Sequence, residues 1–470
     1  MLPLLLLCGT QPVEGQGPNR LPTSEAFDFE PALAESVERP GAVDPQPQAP
    51  SAIMPMNWFE EAEGMPSAVE LASYTAPNEA AGKPPTGFLL GGIQVIPYGI
   101  FWSDMIYTTS RQFPRRFILF IESEETQGED AFELEARYTR LGIDLKGPTV
   151  NVLGGLTSGG KVEVDFLGAF VTENQPDTRL RHAYWEAKND DYRFLVGQYW
   201  DLTSPLLPNT VNFSVNWGAG NIGFRRSQFR FERYVHVTDN LLLTLQAAAA
   251  SEVIQDFSGA ADIGRETPNW PMIQARAAVT VGDRDRRPIT LGFSGHAGET
   301  GFDFVGGHPA NLALGPEDDA RFETWSFNVD VKAPVTDCLG FHGEFFTGAN
   351  LSPLLGGVVQ GVCPCLRVPI RSTGGWAEIW YDVTPRVHTH FGFGIDDPND
   401  ADSLIGRTYN RVVYGNVFLD VTEHLVTGFE VSSWRTSYHN RTSEPGFTPI
   451  AGPTLPGEAV AIDWTVRYKF

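Results

Sequence analysis

Between residues 137 and 230 the chain concentrates the side chains best suited to holding a polar solute. Arg137, Arg140, Arg179, Arg181, Arg225, Arg226 and Arg230 all fall in this interval. Each guanidinium presents a planar fork of donors that matches a carboxylate or a phosphate. Arg179 and Arg181 flank Leu180, while Arg226 and Arg230 alternate with Phe229 and Phe231. Extended backbone sends alternate side chains to opposite faces, so the charges gather on one side and the apolar groups on the other. On strands two apart, inward-facing arginines would form a ladder along one wall of a pore, and such ladders attract anions. Carboxylates run through the same interval, at Glu163, Asp165, Glu186 and Glu232. They can pair with the arginines and stiffen the wall. An arginine row facing acidic residues also sets up a transverse field that orients dipolar solutes. Both readings stand together.

Other chemistry is sparse. The sequence contains no Gly-x-Ser-x-Gly, no His-Glu-x-x-His and no Gly-Lys phosphate loop. His388 and His390 sit two apart on one strand face, a spacing that can ligate a metal, but no third ligand accompanies them. They read as wall histidines. The four cysteines are Cys8, Cys338, Cys363 and Cys365, too few for a disulfide scaffold. Cys363-Pro364-Cys365 lacks the spacing of a zinc or redox motif and reads as a local loop bridge or two free thiols. Neither a cofactor nor a metal is implied, and the chain is not read as an enzyme. The formal charge of −24 speaks against nucleic acid, which needs a concentrated basic face.

The elements that must position these residues are strands. No run of 18 apolar residues occurs, so a transmembrane helix is not expected. In the last segment Val460, Ile462, Trp464, Val466, Tyr468 and Phe470 alternate with Ala461, Asp463, Thr465, Arg467 and Lys469. One face suits lipid and the other water, over about the 9–11 residues of a tilted spanning strand. A terminal Phe after such a strand resembles the signature read by the outer-membrane insertion machinery.

The same dyad recurs upstream, giving strands near 96–109, 134–146, 159–171, 178–188, 191–200, 226–237, 240–250 and 271–282. The second half continues it near 287–299, 321–334, 338–348, 375–384, 386–396, 408–421, 423–434 and 458–470. Four tight connections begin Val-Thr, at Val237, Val335, Val383 and Val421. The intervening connections are long: 200–225, 250–270, 300–320, 349–374, 397–407 and 435–457. Short turns alternating with long loops predict an all-β fold, a transmembrane antiparallel barrel of about sixteen strands in outer-membrane lipid and lipopolysaccharide. Barrels of this size can enclose an aqueous channel for small hydrophilic solutes. A plugged structural or adhesive barrel is the alternative, followed by an outer-membrane enzyme with a catalytic dyad at the lipid edge.

The stretch 201–224 is Gly/Asn/Pro-rich with scattered apolar residues, unlike a solvated loop tip. It is expected to fold inward and narrow the lumen through Asp201, Asn212, Trp217, Asn221 and Arg225. The bland alternative is a surface or trimer-contact loop. Residues 1–15 resemble a secretory signal or a lipoprotein start with Cys8 as the acylated residue. Residues 16–91 read as an acidic Pro/Ala-rich disordered periplasmic segment that could meet peptidoglycan, with room for a short helix over 57–74. The barrel is placed at 92–470.

Residues from about 95 to 240 resemble the DcaP-like outer-membrane porins. The carrying features are Tyr98-Gly99, Glu163, Asp165-Phe166, Arg179-Leu180-Arg181-His182-Ala183-Tyr184, Gly197-Gln198-Tyr199-Trp200 and Arg226-Ser227-Gln228-Phe229-Arg230-Phe231. The arginine-histidine run is fairly specific; the others count through their order. The resemblance implies a homotrimer passing small, often anionic solutes such as dicarboxylates, with Arg179, Arg181, Arg226 and Arg230 lining the pore. The sequence departs from the family pattern at its N-terminus, where no heptads support a coiled coil.

Overall fold

Alternation along each strand sorts the side chains here in the reverse of a water-soluble protein. Phe229, Phe293, Phe327, Phe391, Phe393, Val431 and Trp464 point outward and are exposed, while their neighbours Gln228, Arg230, Ser294, Asn328, Glu430 and Asp463 are buried. Such a sheet is stable with lipid outside and a polar interior. The computed structural model describes residues 87–470, apart from 127–128, 169–175, 254–263, 284–286, 305–313, 446 and 448. The signal-like start, nearly all of the acidic segment and the proposed helix over 57–74 lie outside the described residues.

Nineteen segments form one continuous antiparallel sheet. A short arm, a short flap and an interruption within one stave account for three of them, leaving sixteen staves. They are β1 (Ile93–Thr108), β2 (Ala131–Glu135 and Arg140–Val150), β3 (Leu156–Asp165), β4 (Arg179–Lys188), β5 (Tyr192–Trp200), β6 (Arg225–Thr238), β7 (Leu241–Ala250) and β8 (Met272–Val281). The second half comprises β9 (Ile289–Phe304), β10 (Glu317–Pro334), β11 (Leu339–Ala349), β12 (Arg371–Thr384), β13 (Val387–Pro398), β14 (Ile405–Asp420), β15 (Leu425–Asn440) and β16 (Gly457–Lys469). Each stave pairs with its neighbours in chain order, and β16 returns to β1, with Tyr468 opposite Phe101. Gly99 and Phe470 then exchange both backbone hydrogen bonds, at 3.0 Å each, and close the seam. Closure leaves no free sheet edge, which hydrocarbon would not tolerate.

The expected strand over 134–146 is broken. Residues 136–139 leave the ladder, so Arg137 lies in the interruption and not on a strand. Its guanidinium folds back onto Glu135, with Nε 2.7 Å from Oε1. In the interruption Tyr138 turns inward and packs fully buried against Trp102 and Phe213, a contact with distant residues that two-residue alternation could not register.

The Val-Thr turns have a common cause. Thr336 Oγ1 accepts from the Cys338 and Leu339 amides, and Thr422 Oγ1 from those of His424 and Leu425. Thr238 and Thr384 accept in the same way from Asn240 and Arg386. A hydroxyl that captures amides two and three residues on reverses the chain without glycine. Replacing Thr336 and Thr422 together with Ala is expected to cost about 1–2 kcal/mol of barrel stability, read as a lower urea midpoint in detergent.

Candidate functional site

The arginine interval folds into one connected wall across β3 to β6. β4 approaches β3 with a bulge at Arg181, where Glu163 pairs with His182 and Val164 with Leu180. The extra residue turns both Arg181 and His182 inward, and both are buried. Arg179 grips Asp165 with two forked bonds of 2.9 and 2.6 Å. Arg181 bridges Glu163 at 2.6 Å and Asp165 at 3.1 Å. Tyr98 donates to the other oxygen of Glu163 at 2.7 Å. On the next staves Arg193 spans Glu186 at 2.7 Å and Glu232 at 3.3 Å, and Arg230 also pairs with Glu232. Arg140 is buried and stacks on Trp102, 4.7 Å from the ring centre. Opposite charges alternate along this wall, so each desolvated charge has a partner close at hand. Arg193 is a member that residue spacing missed. It lies on β5, between the strands of the anticipated ladder, and its alternation with Tyr192 and Phe194 was its one visible signal.

Arg225 differs from the rest. It is the first residue of β6, with its guanidinium 4.6 Å from the Trp200 ring centre and 4.9 Å from that of Phe224. Among the described residues no carboxylate forms an ion pair with it. Stacking on aromatic faces offsets part of its desolvation and leaves its donors uncommitted.

The third long loop, L3 (residues 201–224), runs inside the barrel, and nearly all of it is buried. Its base is clamped where Asp201 takes two bonds from Arg226, at 2.6 and 2.8 Å, and one from the Phe224 amide at 2.9 Å. From there the loop walks along the wall on carboxylate rungs. Glu344 on β11 accepts from the Leu206 amide at 2.7 Å. Glu378 on β12 accepts from Asn209 at 2.8 Å, and Glu430 on β15 from Val211 at 2.8 Å. Phe213 then stacks on Tyr138, ring centres 4.2 Å apart, beside Trp102. The inward course turns on those glutamates: irregular backbone inside a barrel needs acceptors for its amides, and the wall supplies them.

The wall also yields space. Gly220, at φ +116°, lies so close to Gly375 that a Cβ on it would strike the Gly375 carbonyl, and a Cβ on Gly394 would strike that of Ala219. The residues expected to narrow the lumen are buried in the packing of the loop itself. Asn212 Oδ1 accepts from the Ile118 and Ser214 amides, Asn221 Nδ2 donates to the Val215 carbonyl at 2.8 Å, and Trp217 joins an apolar cluster.

Two further loops enter the lumen, which sequence patterning did not foresee. L1 (residues 109–130) brings Leu119 and Phe120, and L6 (residues 350–370) brings Leu355, Val358 and Val359, against Val215 and Trp217 of L3. Asp396 on β13 accepts from the Val358 amide at 2.9 Å, and Asn410 on β14 donates to the carbonyls of both Leu119 and Gly218. Their apolar residues looked like ordinary loop content because the surface that buries them comes from other loops.

No protein-family model and no curated protein matches the sequence. Among solved structures the chain is similar to the outer membrane channel DcaP of Acinetobacter baumannii, with a TM-score of 0.60 at 18% identity over 82% of this chain and 99% of that one. It is also similar to an anion-selective porin from Comamonas acidovorans, with a TM-score of 0.50 at 10% identity over 80% of this chain and 100% of that one. At these identities the likeness establishes the fold alone, a closed sixteen-stranded antiparallel barrel. The resemblance drawn from the arginine-histidine run thus holds at the level of architecture.

Proposed function

We propose that this chain is a porin of the bacterial outer membrane, a passive diffusion channel for small hydrophilic solutes, built as a homotrimer. The observation that carries the reading is a charged, hydrogen-bonding interior in which a loop is held on wall carboxylates, inside a barrel whose outer face is apolar. Solutes would pass beside the arginine wall, with L3, L1 and L6 setting the narrowest point. A preference for anions, including dicarboxylates, rests on Arg225, which forms no ion pair among the described residues because nearby Asp165 is bound by Arg179 and Arg181.

Single-channel recording in a planar bilayer under a KCl gradient tests this. Open steps in groups of three with an anion-selective reversal potential are expected. Arg225→Glu should move that potential toward cation selectivity, while heat-modifiable mobility on gels reports that the barrel still folds. An unchanged potential would move selectivity away from this residue.

A second reading, a structural barrel closed by its own loops, is favoured by the apolar cluster that L1, L3 and L6 build inside the lumen. It predicts well-folded protein without conductance, so the same recording separates the two.

A further inference from the structure

Cys363 and Cys365 take no part in the pore wall. Both are buried in a small apolar cluster with Ile370 and Leu404, against which Leu366, Val368, Ile405, Phe447 and Ile450 pack. The segment is a tight hairpin: Val362–Cys363 pairs with Val368–Pro369, and the Arg367 amide donates to the Cys363 carbonyl at 2.7 Å. Arg367 turns the chain in the left-handed region at φ +51°, and its guanidinium holds Glu317 at 2.6 Å. Cys363 ends the first short strand and Cys365 lies in the turn that follows, yet both side chains enter this one cluster, and the two thiols lie within hydrogen-bonding reach of one another.

We propose that Cys363 and Cys365 are joined by a disulfide in the mature protein. The bond would close the Cys-Pro-Cys turn of L6 and fix the surface on which Leu404, Phe447 and Ile450 rest. Two S–H bonds are lost and one S–S bond forms. The two electrons and two protons pass to the disulfide of a periplasmic thiol oxidant, which becomes a dithiol. The compartment rests on the outer-membrane reading, since a chain bound for that membrane crosses an oxidising space.

Three observations support the bond. Pro364 limits the backbone between the sulfurs, so less freedom is lost on closure. The hydrogen bond from Cys365, joined by amides of Leu404, Leu366 and Cys365, holds the Cys363 thiol below its ordinary range, to about 6, which favours the attacking thiolate. Metal binding has no third ligand: the grouping of metal-capable side chains among the described residues is Glu266, Asp303 and Asp318, apart from both cysteines.

The test uses the full chain from fractionated membranes, denatured in iodoacetamide without reductant, then reduced and labelled with a heavy alkylating reagent. Peptide mass spectrometry is expected to find Cys338 labelled in the first step and Cys363 and Cys365 only in the second. The unreduced peptide should be lighter by two hydrogens. First-step labelling of both cysteines, or a bridge to Cys338 or Cys8, would overturn the proposal. Trypsin cleavage after Arg367 in the folded protein should rise severalfold on reduction and in the Cys363→Ser/Cys365→Ser variant. Cleavage unaltered by both changes would remove the proposed clasp. The membrane fraction in which the chain is found tests the outer-membrane reading separately from the thiol state.

Discussion

Replacing residues 203–222 with a short Gly-Ser linker is expected to raise single-channel conductance severalfold and to shift the reversal potential toward cations. L3 fills lumen that a sixteen-stranded barrel would otherwise leave to water. It also supplies the amides that bind Glu344, Glu378 and Glu430. Without it these three carboxylates lose the loop's amides and keep only wall partners, Trp376 for Glu344, His342 and Tyr414 for Glu378, and Asn416 for Glu430, while the arginine side keeps its own partners. The interior therefore becomes wider, and its carboxylates become accessible to permeating ions. Gly394→Val is the milder version, because its side chain would push the L3 turn at Ala219 off the wall. Planar-bilayer recording reads both changes, with heat-modifiability as the check on folding. A deletion that folds but conducts like the parent would place the narrowest point at L1 or L6.

Deleting Phe470 is expected to cut the amount of assembled barrel in the outer membrane by about tenfold or more. Two physical effects act together. The seam between β1 and β16 loses the reciprocal Gly99–Phe470 bonds, worth about 2 kcal/mol in total. The ring that lies over Gly99 and packs 4.9 Å from the ring of Phe101 is also lost. Phe470→Ala separates the effects, since it keeps the backbone pair and removes the ring. If the insertion machinery reads the ring, Phe470→Ala should fail in cells yet refold in detergent nearly as well as the parent. Equal loss in both settings would assign the whole effect to the seam.

The barrel was legible in the sequence because its governing pattern is local. Two-residue alternation fixes which side chains meet lipid, and a threonine that captures the next amides fixes a turn, wherever the partner strands lie. All sixteen expected strands have counterparts in the staves, and the Val-Thr connections are the tight turns. The arginine wall was half legible. Arg179, Arg181, Arg226 and Arg230 face inward as their spacing implied, but each is committed to an ion pair. Arg193 completes the network from the strand between them.

Partner choice was beyond the sequence, because it depends on which staves the closed sheet brings opposite one another. The same holds for L3. Its composition marked it as unlike a solvated loop, yet its path is set by glutamates on three strands more than a hundred residues away. The burial of L1 and L6 had no local signal at all, since apolar loop residues read alike whether they meet solvent or another loop. By itself the sequence determined the strands, their lipid-facing sides and the tight turns, since each follows from residues adjacent in the chain. Tertiary structure alone decided what fills the lumen and which charges remain uncommitted there, because both arise only when distant carboxylates, amides and guanidinium groups share one low-dielectric interior.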